Sequence, residues 1–350
     1  MDEITKPNRW DTSDGANEAL HCQEIALERA LSAGPAEGGT CDVADKDVPV
    51  VDLQVESAEK QLWHAATKIG FFQVKGHSIS QQTIDDMFAL AERFFSLSRS
   101  SKELYPLARH HNAGYEFFEQ VRPSTGVPDQ KESFQVTARP EAMHGRWPER
   151  EVPGFEQTCR RFIDEAFCVG CSIMGMVEQR CGLPEGTLAS AHNLWADDCQ
   201  TTLRLLHYPP VEDPDALPKN YFRAGAHTDW DCITLLFQRE GEVGLECAAN
   251  PRADPGAPIS WAPVDPVRGA IAVNIGDMLM RWSDDMLFSN LHRVRMPRRE
   301  EGPPRSRYSL ALFLQADKGM LVQGSKRKHP AVTAGDYILS RIRSNYAASH

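Results

Sequence analysis

Among the twelve histidines of this chain, only His227 has a carboxylate two residues downstream, in His227-Thr-Asp229. Chance alone would place about one such tripeptide in a chain of this composition, so the spacing needs support from its setting. It lies at the start of a β-rich half, where a strand's period of two puts His227 and Asp229 on one face. A second histidine, His292, falls inside another strand-like run, Phe288-Ser-Asn-Leu-His-Arg-Val294. Two imidazoles and one carboxylate on one face of an octahedral metal leave three adjacent positions open. Non-haem Fe(II) oxygenases use that arrangement to bind a co-substrate and O2 together.

Arg307-Tyr-Ser309 is the second constellation. Two residues apart on a strand, the guanidinium and the hydroxyl point the same way. An arginine grips a carboxylate through two parallel hydrogen bonds, and the serine adds a third. A buried arginine without an anion is costly, so an inward Arg307 implies an anionic ligand. In Arg204-Leu-Leu-His-Tyr208, Arg204 and Tyr208 share a strand face, which lets the Tyr208 hydroxyl reach the same anion. His207 alternates to the other face and reads as structural.

The elements that must position these groups fall into two halves. Helices are expected over Ala58–Ile69, Gln81–Leu97 and Gly154–Arg180, with short strands at Val48–Leu53 and Phe71–Gly76. From Thr202 onward seven short runs rich in Val, Ile, Leu, Thr and Phe recur between Gly, Pro and Asp breaks, the pattern of a sandwich or jelly-roll barrel. The resulting division is a tail over 1–46, a helical region with short strands over 47–195, a β-barrel over 196–320 and a terminal helix within 321–350. The fold class is α+β.

Bulk properties narrow the chemistry. With 38 Lys plus Arg against 49 Asp plus Glu, the net charge of −11 argues against a general affinity for nucleic acid. No apolar run approaches the roughly 18 residues of a membrane span, and the acidic start lacks signal-peptide features, so a cytoplasmic protein is expected. No obligate protein partner is evident. Nine cysteines contain one Cys-x-x-Cys pair, Cys168 and Cys171, inside a helical stretch; no second pair completes a zinc site, and both read as core residues in a reducing compartment.

Taken in order, Arg204-Leu-Leu-His-Tyr-Pro-Pro, Gly225-Ala-His-Thr-Asp229, Ile233-Thr-Leu-Leu-Phe-Gln238, Asn274-Ile-Gly-Asp277, His292-Arg-Val294 and Arg307-Tyr-Ser309 resemble the Fe(II)/2-oxoglutarate-dependent dioxygenases of the isopenicillin N synthase-like superfamily. Val48-Pro-Val-Val-Asp52, Gly70–His77 and Lys131-Glu-Ser-Phe134 are similar to that family's N-terminal region, and the wording of the catalytic half is closest to fungal thymine 7-hydroxylase-like enzymes. The resemblance implies a double-stranded β-helix (jelly-roll) core flanked by helices, with Fe(II) on His227, Asp229 and His292. It implies 2-oxoglutarate as co-substrate, its distal carboxylate on Arg307, Ser309 and Tyr208. O2 completes the set, giving succinate, CO2 and an alcohol on a small-molecule substrate. Three departures stand out: Leu206 replaces the Asn of plant members, as it does in the thymine-hydroxylase-like wording; the stretch from Asp229 to His292 is longer than usual, with Ala249–Ala257 of loop composition; and Trp230 stands where Tyr or an aliphatic residue is commoner.

Substrate contacts are expected from Phe313, which shares the Arg307 face, and from Trp230 beside a metal ligand. Thr201 and Arg204 approach along the Tyr208 strand, and Tyr115 and Phe117 lie in a loop resembling the family's active-site lid. Such a pocket suits a small aromatic or heterocyclic metabolite, with a methyl among the C–H bonds attacked. The resemblance also disfavours thymine itself: thymine hydroxylase-like enzymes carry Asn at the position corresponding to Thr201, and a hydroxyl cannot match a pyrimidine edge as that amide does. Desaturation, ring expansion or cyclisation use the same machinery. A 2-oxoglutarate-independent oxidase and a non-catalytic small-molecule binding barrel are the alternatives from other classes.

Overall fold

A computed structural model of the chain describes residues 48–122, 124–249 and 259–347. The tail expected over 1–46 and most of the 249–257 loop lie outside the described residues. Strand β1 (Val50–Asp52) leads into α1 (Ala58–Lys68) and β2 (Phe71–Lys75). Helix α2 (Gln81–Phe95) follows, capped by Ser80, whose hydroxyl accepts from the Thr83 amide. Strands β3 (Gly114–Phe117) and β4 (Glu132–Thr137) precede the long helix α3 (Phe155–Glu178). The β-rich half runs β5 (Thr202–Tyr208), β6 (Ala224–His227), β7 (Ile233–Gln238), β8 (Leu245–Ala248), β9 (Trp261–Pro263), β10 (Ile271–Ile275), α4 (Asp277–Trp282), β11 (His292–Val294) and β12 (Arg307–Leu314). Helix α5 (Ala334–Ala347) ends the described chain.

Two sheets result. The major one is ordered β1-β2-β10-β7-β12-β5-β4-β3 and the minor one β6-β11-β8-β9. Strands from the N-terminal half therefore complete the major sheet at both edges, a larger share in the sheet than a helical region with short strands suggested. The β3 segment, expected as a loop, is an edge strand paired with β4 through Tyr115↔Phe134 and Phe117↔Glu132. Its alternation was hidden because Gly114, Tyr115 and Glu116 are all buried, one face by helices and the other by the barrel.

The outer face of the major sheet carries the helices. On α2, Met87, Phe88, Ala91, Phe94 and Phe95 recur at helical spacing and are buried; on α3 the buried set includes Phe155, Cys159, Phe162, Ile163, Ala166 and Ile173. Burying one such phenylalanine is worth about 2–3 kcal/mol. Helix α3 sits close to β12 because Gly170 has no side chain: a Cβ there would stand 2.5 Å from Leu314 Cδ2. Cys168 falls on the opposite side of α3 and is exposed, so the core reading fails for it; Cys171 is half-buried and packs against the core.

Between the sheets lies a smaller apolar cluster that includes Phe71, Leu206, Tyr208, Leu245, Val294 and Ala311. It surrounds the groups singled out above.

Candidate metal centre and active-site cavity

Strands β6 and β11 run antiparallel with His227 and His292 as direct partners. Their rings stand 4.3 Å apart between centroids. Strand β6 stops at His227, so Asp229 reaches the histidines from the turn that follows and not by strand alternation. That turn is held by α4: the Asp277 amide donates to Asp229 O at 2.8 Å, and the Gly276 amide to Cys232 O at 2.9 Å. A Cβ on Gly276 would lie 2.2 Å from Asp231 O, so only glycine admits this approach.

His227 Nε2 lies 3.8 Å from Asp229 Oδ1, and His292 Nε2 lies 3.7 Å from Asp229 Oδ2. Each imidazole is oriented through its other nitrogen, by Gly225 O at 2.7 Å from His227 Nδ1 and Asn290 O at 3.3 Å from His292 Nδ1. On the carboxylate, Oδ2 accepts from Thr234 Oγ1 at 2.6 Å and from Asn274 Nδ2 at 2.9 Å. Oδ1 keeps its lone pairs for a metal.

Burial, reinforced by the charge of Arg122 and by His292, holds the His227 imidazole far below its usual range and thus neutral. Burial alone would raise Asp229, but His292, Thr234 and Asn274 outweigh it and keep the carboxylate ionised. Burial and the nearby Asp229 push Asp231 well above the carboxylate range. Two imidazoles and an ionised carboxylate within 4.8 Å of one another form the facial donor set of a divalent iron. The donors present fit that ion.

Across the cavity, Arg307 is 2% exposed and pairs in register with Tyr208. Its Nη2 donates to Gln238 Oε1 at 2.8 Å, its Nε to Glu242 O at 3.3 Å, and its Nη1 lies 3.5 Å from Ser309 Oγ. The guanidinium stands 5.0 Å from the Tyr208 ring centroid, and among the described residues no carboxylate forms an ion pair with it. Arg307, Ser309, Tyr208, Arg204 and Phe313 line one cavity with His227, Asp229 and His292. Arg204 lies 5.1 Å over the Phe313 ring, its Nε without a hydrogen-bond partner among the described residues.

The other four expected substrate contacts are placed elsewhere. Thr201 precedes β5, and its hydroxyl reaches Gln315 O at 3.5 Å; Thr202, by strand alternation, shares the Arg204 face. Tyr115 turns to the helical core, 6.0 Å from Phe94, its hydroxyl donating to Glu132 Oε2. Phe117 points the same way, under the Arg99 guanidinium at 4.2 Å. Trp230 packs below Arg341 of α5 at 5.8 Å. Strand pairing explains the first three, since register fixes which alternate residues face the barrel. His207 is the structural residue expected, held by Glu132 Oε1 at 2.7 Å and Ser306 Oγ at 2.9 Å.

Sequence reasoning missed Arg122 and Lys131, which line the same cavity and share Asp129 as partner at 3.1 and 2.5 Å. Thr234 and Asn274 have no role that their motifs alone assign; the signal for one is a polar residue inside each apolar run, Ile-Thr-Leu-Leu and Ala-Val-Asn-Ile.

The same chemistry is found in known proteins. Residues 199–316 match the 2OG-Fe(II) oxygenase superfamily, and residues 48–153 match the family described as non-haem dioxygenase in morphine synthesis, N-terminal. A 2-oxoglutarate-dependent dioxygenase from Aspergillus rugulosus, htyE, is 30% identical over 72% of this chain and 80% of its own. This chain belongs to the 2OG-Fe(II) oxygenase superfamily. The oxygenase is also 29% identical to a proline hydroxylase of Petromyces alliaceus, buaE, over 83% of this chain and 94% of that protein. A full-length Neurospora crassa protein crystallised with alpha-KG and thymine is 26% identical, with a TM-score of 0.74 over 86% of this chain and 98% of that one. The oxygenase is thus an oxidoreductase that uses Fe(II) and 2-oxoglutarate on a double-stranded β-helix core. No described helix is long and apolar enough to cross a membrane.

Proposed function

We propose that the oxygenase hydroxylates a C–H bond of a small aromatic or heterocyclic metabolite, with His227, Asp229 and His292 holding Fe(II). Arg307 and Ser309, with the Tyr208 hydroxyl, bind the distal carboxylate of 2-oxoglutarate. Arg204 and Phe313 form the substrate wall. The observation that carries this reading is the shared cavity, with the triad on one side and a buried arginine that no described carboxylate pairs on the other.

Bound iron supplies the redox chemistry, activating O2 and coupling decarboxylation of the keto acid to substrate oxidation, with succinate and CO2 as products. The protein's part is placement. Gly225 O and Asn290 O fix the imidazole planes. Thr234 and Asn274 load one carboxylate oxygen and leave the other for the metal. Arg307, desolvated between the sheets, meets a carboxylate where its charge is screened least. The Arg204 guanidinium stacked on Phe313 favours a flat substrate with an anionic or acceptor group at its edge. Trp230, Thr201, Tyr115 and Phe117 have no part in this reading. The seven free cysteines among the described residues support a reducing, cytoplasmic location, and the net charge of −11 supports small-molecule rather than nucleic-acid partners.

Succinate release from 2-oxoglutarate across a panel of aromatic and heterocyclic metabolites, with product mass measured, tests the proposal. A gain of one oxygen in the product is expected. His227→Ala and Asp229→Ala should abolish succinate formation, and Arg307→Lys should raise the KM for 2-oxoglutarate by about 100-fold through loss of two-point binding. Succinate production that persists in both ligand variants sinks the assignment.

A further inference from the structure

A second cavity, of about 280 Å3, adjoins the first at Arg307, which lines both. Its walls come from residues 211–214 before β6, the β7–β8 connection and the 297–306 loop before β12. Its size is just below the roughly 300–1,000 Å3 of ordinary small-ligand sites.

Five arginines and four acids line it, and the pairing among them is uneven. Three acids on its wall are ion-paired to arginines other than Arg223 and Arg307: Asp213 with Arg299, which also lines it, Glu242 with Arg239, and Glu301 with Arg295. The fourth, Glu212, is exposed to solvent. Arg223 is 4% exposed; among the described residues its Nε has no partner, and its Nη2 donates to a neutral carbonyl, Arg305 O, at 3.2 Å. The Arg305 side chain, exposed at the rim, donates to another, Gly241 O, at 3.1 Å. Arg223 and Arg307 both face the Tyr208 ring, at 6.0 and 5.0 Å. The two buried guanidinium groups sit side by side; the charges of Glu242 and Glu301 reach Arg223 from a distance, but no described carboxylate forms an ion pair with either arginine, which leaves them open to a visiting anion. Burial, together with the neighbouring Arg307, pulls Arg223 down to about 10, so it stays charged at neutral pH.

We propose that this cavity is an access vestibule for small dicarboxylates: 2-oxoglutarate arrives through it, and succinate leaves through it, guided from Arg305 to Arg223 to Arg307. The inference rests on the co-substrate role given above to Arg307. It adds a route and two residues, Arg223 and Arg305, that hold no part of the iron or the bound co-substrate.

Stopped-flow mixing of anaerobic Fe(II)-loaded protein with 2-oxoglutarate, followed by the visible charge-transfer absorption, measures association directly. Arg223→Gln should slow association about tenfold and flatten its dependence on ionic strength, while Arg223→Lys keeps most of the rate. Val243→Trp, which fills the cavity wall without removing charge, should slow association and dissociation together and leave Kd nearly unchanged. Circular dichroism and Tm establish that the variants are folded. A fall in association of less than about threefold in either Arg223→Gln or Val243→Trp overturns the vestibule. Absence of the absorption in the wild-type protein overturns the co-substrate reading, and this inference with it.

Discussion

His292 stands directly opposite His227 in the β6–β11 ladder, so one backbone pairing fixes the spacing of two metal ligands. The third ligand has no such support. Asp229 depends on a turn clasped by α4 and on two hydrogen bonds to its Oδ2.

Thr234 and Asn274 should therefore matter to metal binding without touching the metal. Thr234→Val and Asn274→Ala are each expected to weaken divalent-ion affinity by about tenfold or more. Anaerobic titration calorimetry with Fe(II) or Co(II) checks this; unchanged affinity in both would show that Asp229 is positioned by its backbone alone.

Gly276 carries the other half of that support. Because its missing side chain faces Asp231 O, Gly276→Ala should push α4 away and move the Asp229 turn, costing about 2–4 kcal/mol of stability. A thermal melt of the metal-free protein reads the loss, and a Tm equal to wild type would refute the close approach.

Lys102, Glu132, His207 and Tyr115 form a buried polar network between α2 and the sheet. Lys102 Nζ lies 2.7 Å from Glu132 Oε2, and the two residues are 6% and 3% exposed. Lys102→Met leaves the Glu132 charge short of its cation, and a loss of about 3–5 kcal/mol is expected. Denaturant unfolding measures it. The double variant with Glu132→Gln should recover part of the loss, which a simple packing defect would not.

Asp317 gives a pH dependence remote from the metal. Burial raises its pKa to about 6, against a bond from the Asn193 amide that lowers it, and its Oδ1 has no partner among the described residues. An acid whose pKa is raised on folding binds more protons in the native state, so it removes stability as pH climbs from about 4 to 6. Asp317→Asn should match wild type near pH 4 and, after discounting for solvent screening, be more stable by roughly 1–2 kcal/mol at pH 7 and above. Equal Tm values at pH 7.5 would contradict this.

Helix positions, the β-rich half and the ordered chemical residues were legible in the chain itself. Helical spacing over Gln81–Phe95 and Phe155–Glu178, and apolar runs such as Thr202–Tyr208, are local properties of side-chain type. His227, Asp229, His292, Arg307 and Ser309 were marked by the order of their motifs along the chain, His-Thr-Asp, His-Arg-Val and Arg-Tyr-Ser, since no single spacing exceeded chance. What the sequence could not state depends on pairings between distant segments. Register against β4 turned Tyr115 and Phe117 to the core, alternation along β5 put Thr202 rather than Thr201 on the Arg204 face, and the connection between β3 and β4 brought Arg122 and Lys131 beside the triad. Arg223 gained meaning only when the 297–306 loop brought it against Arg307. Side-chain chemistry is written residue by residue, but which face a strand presents is decided by its neighbours in the sheet, and only the tertiary structure chooses those.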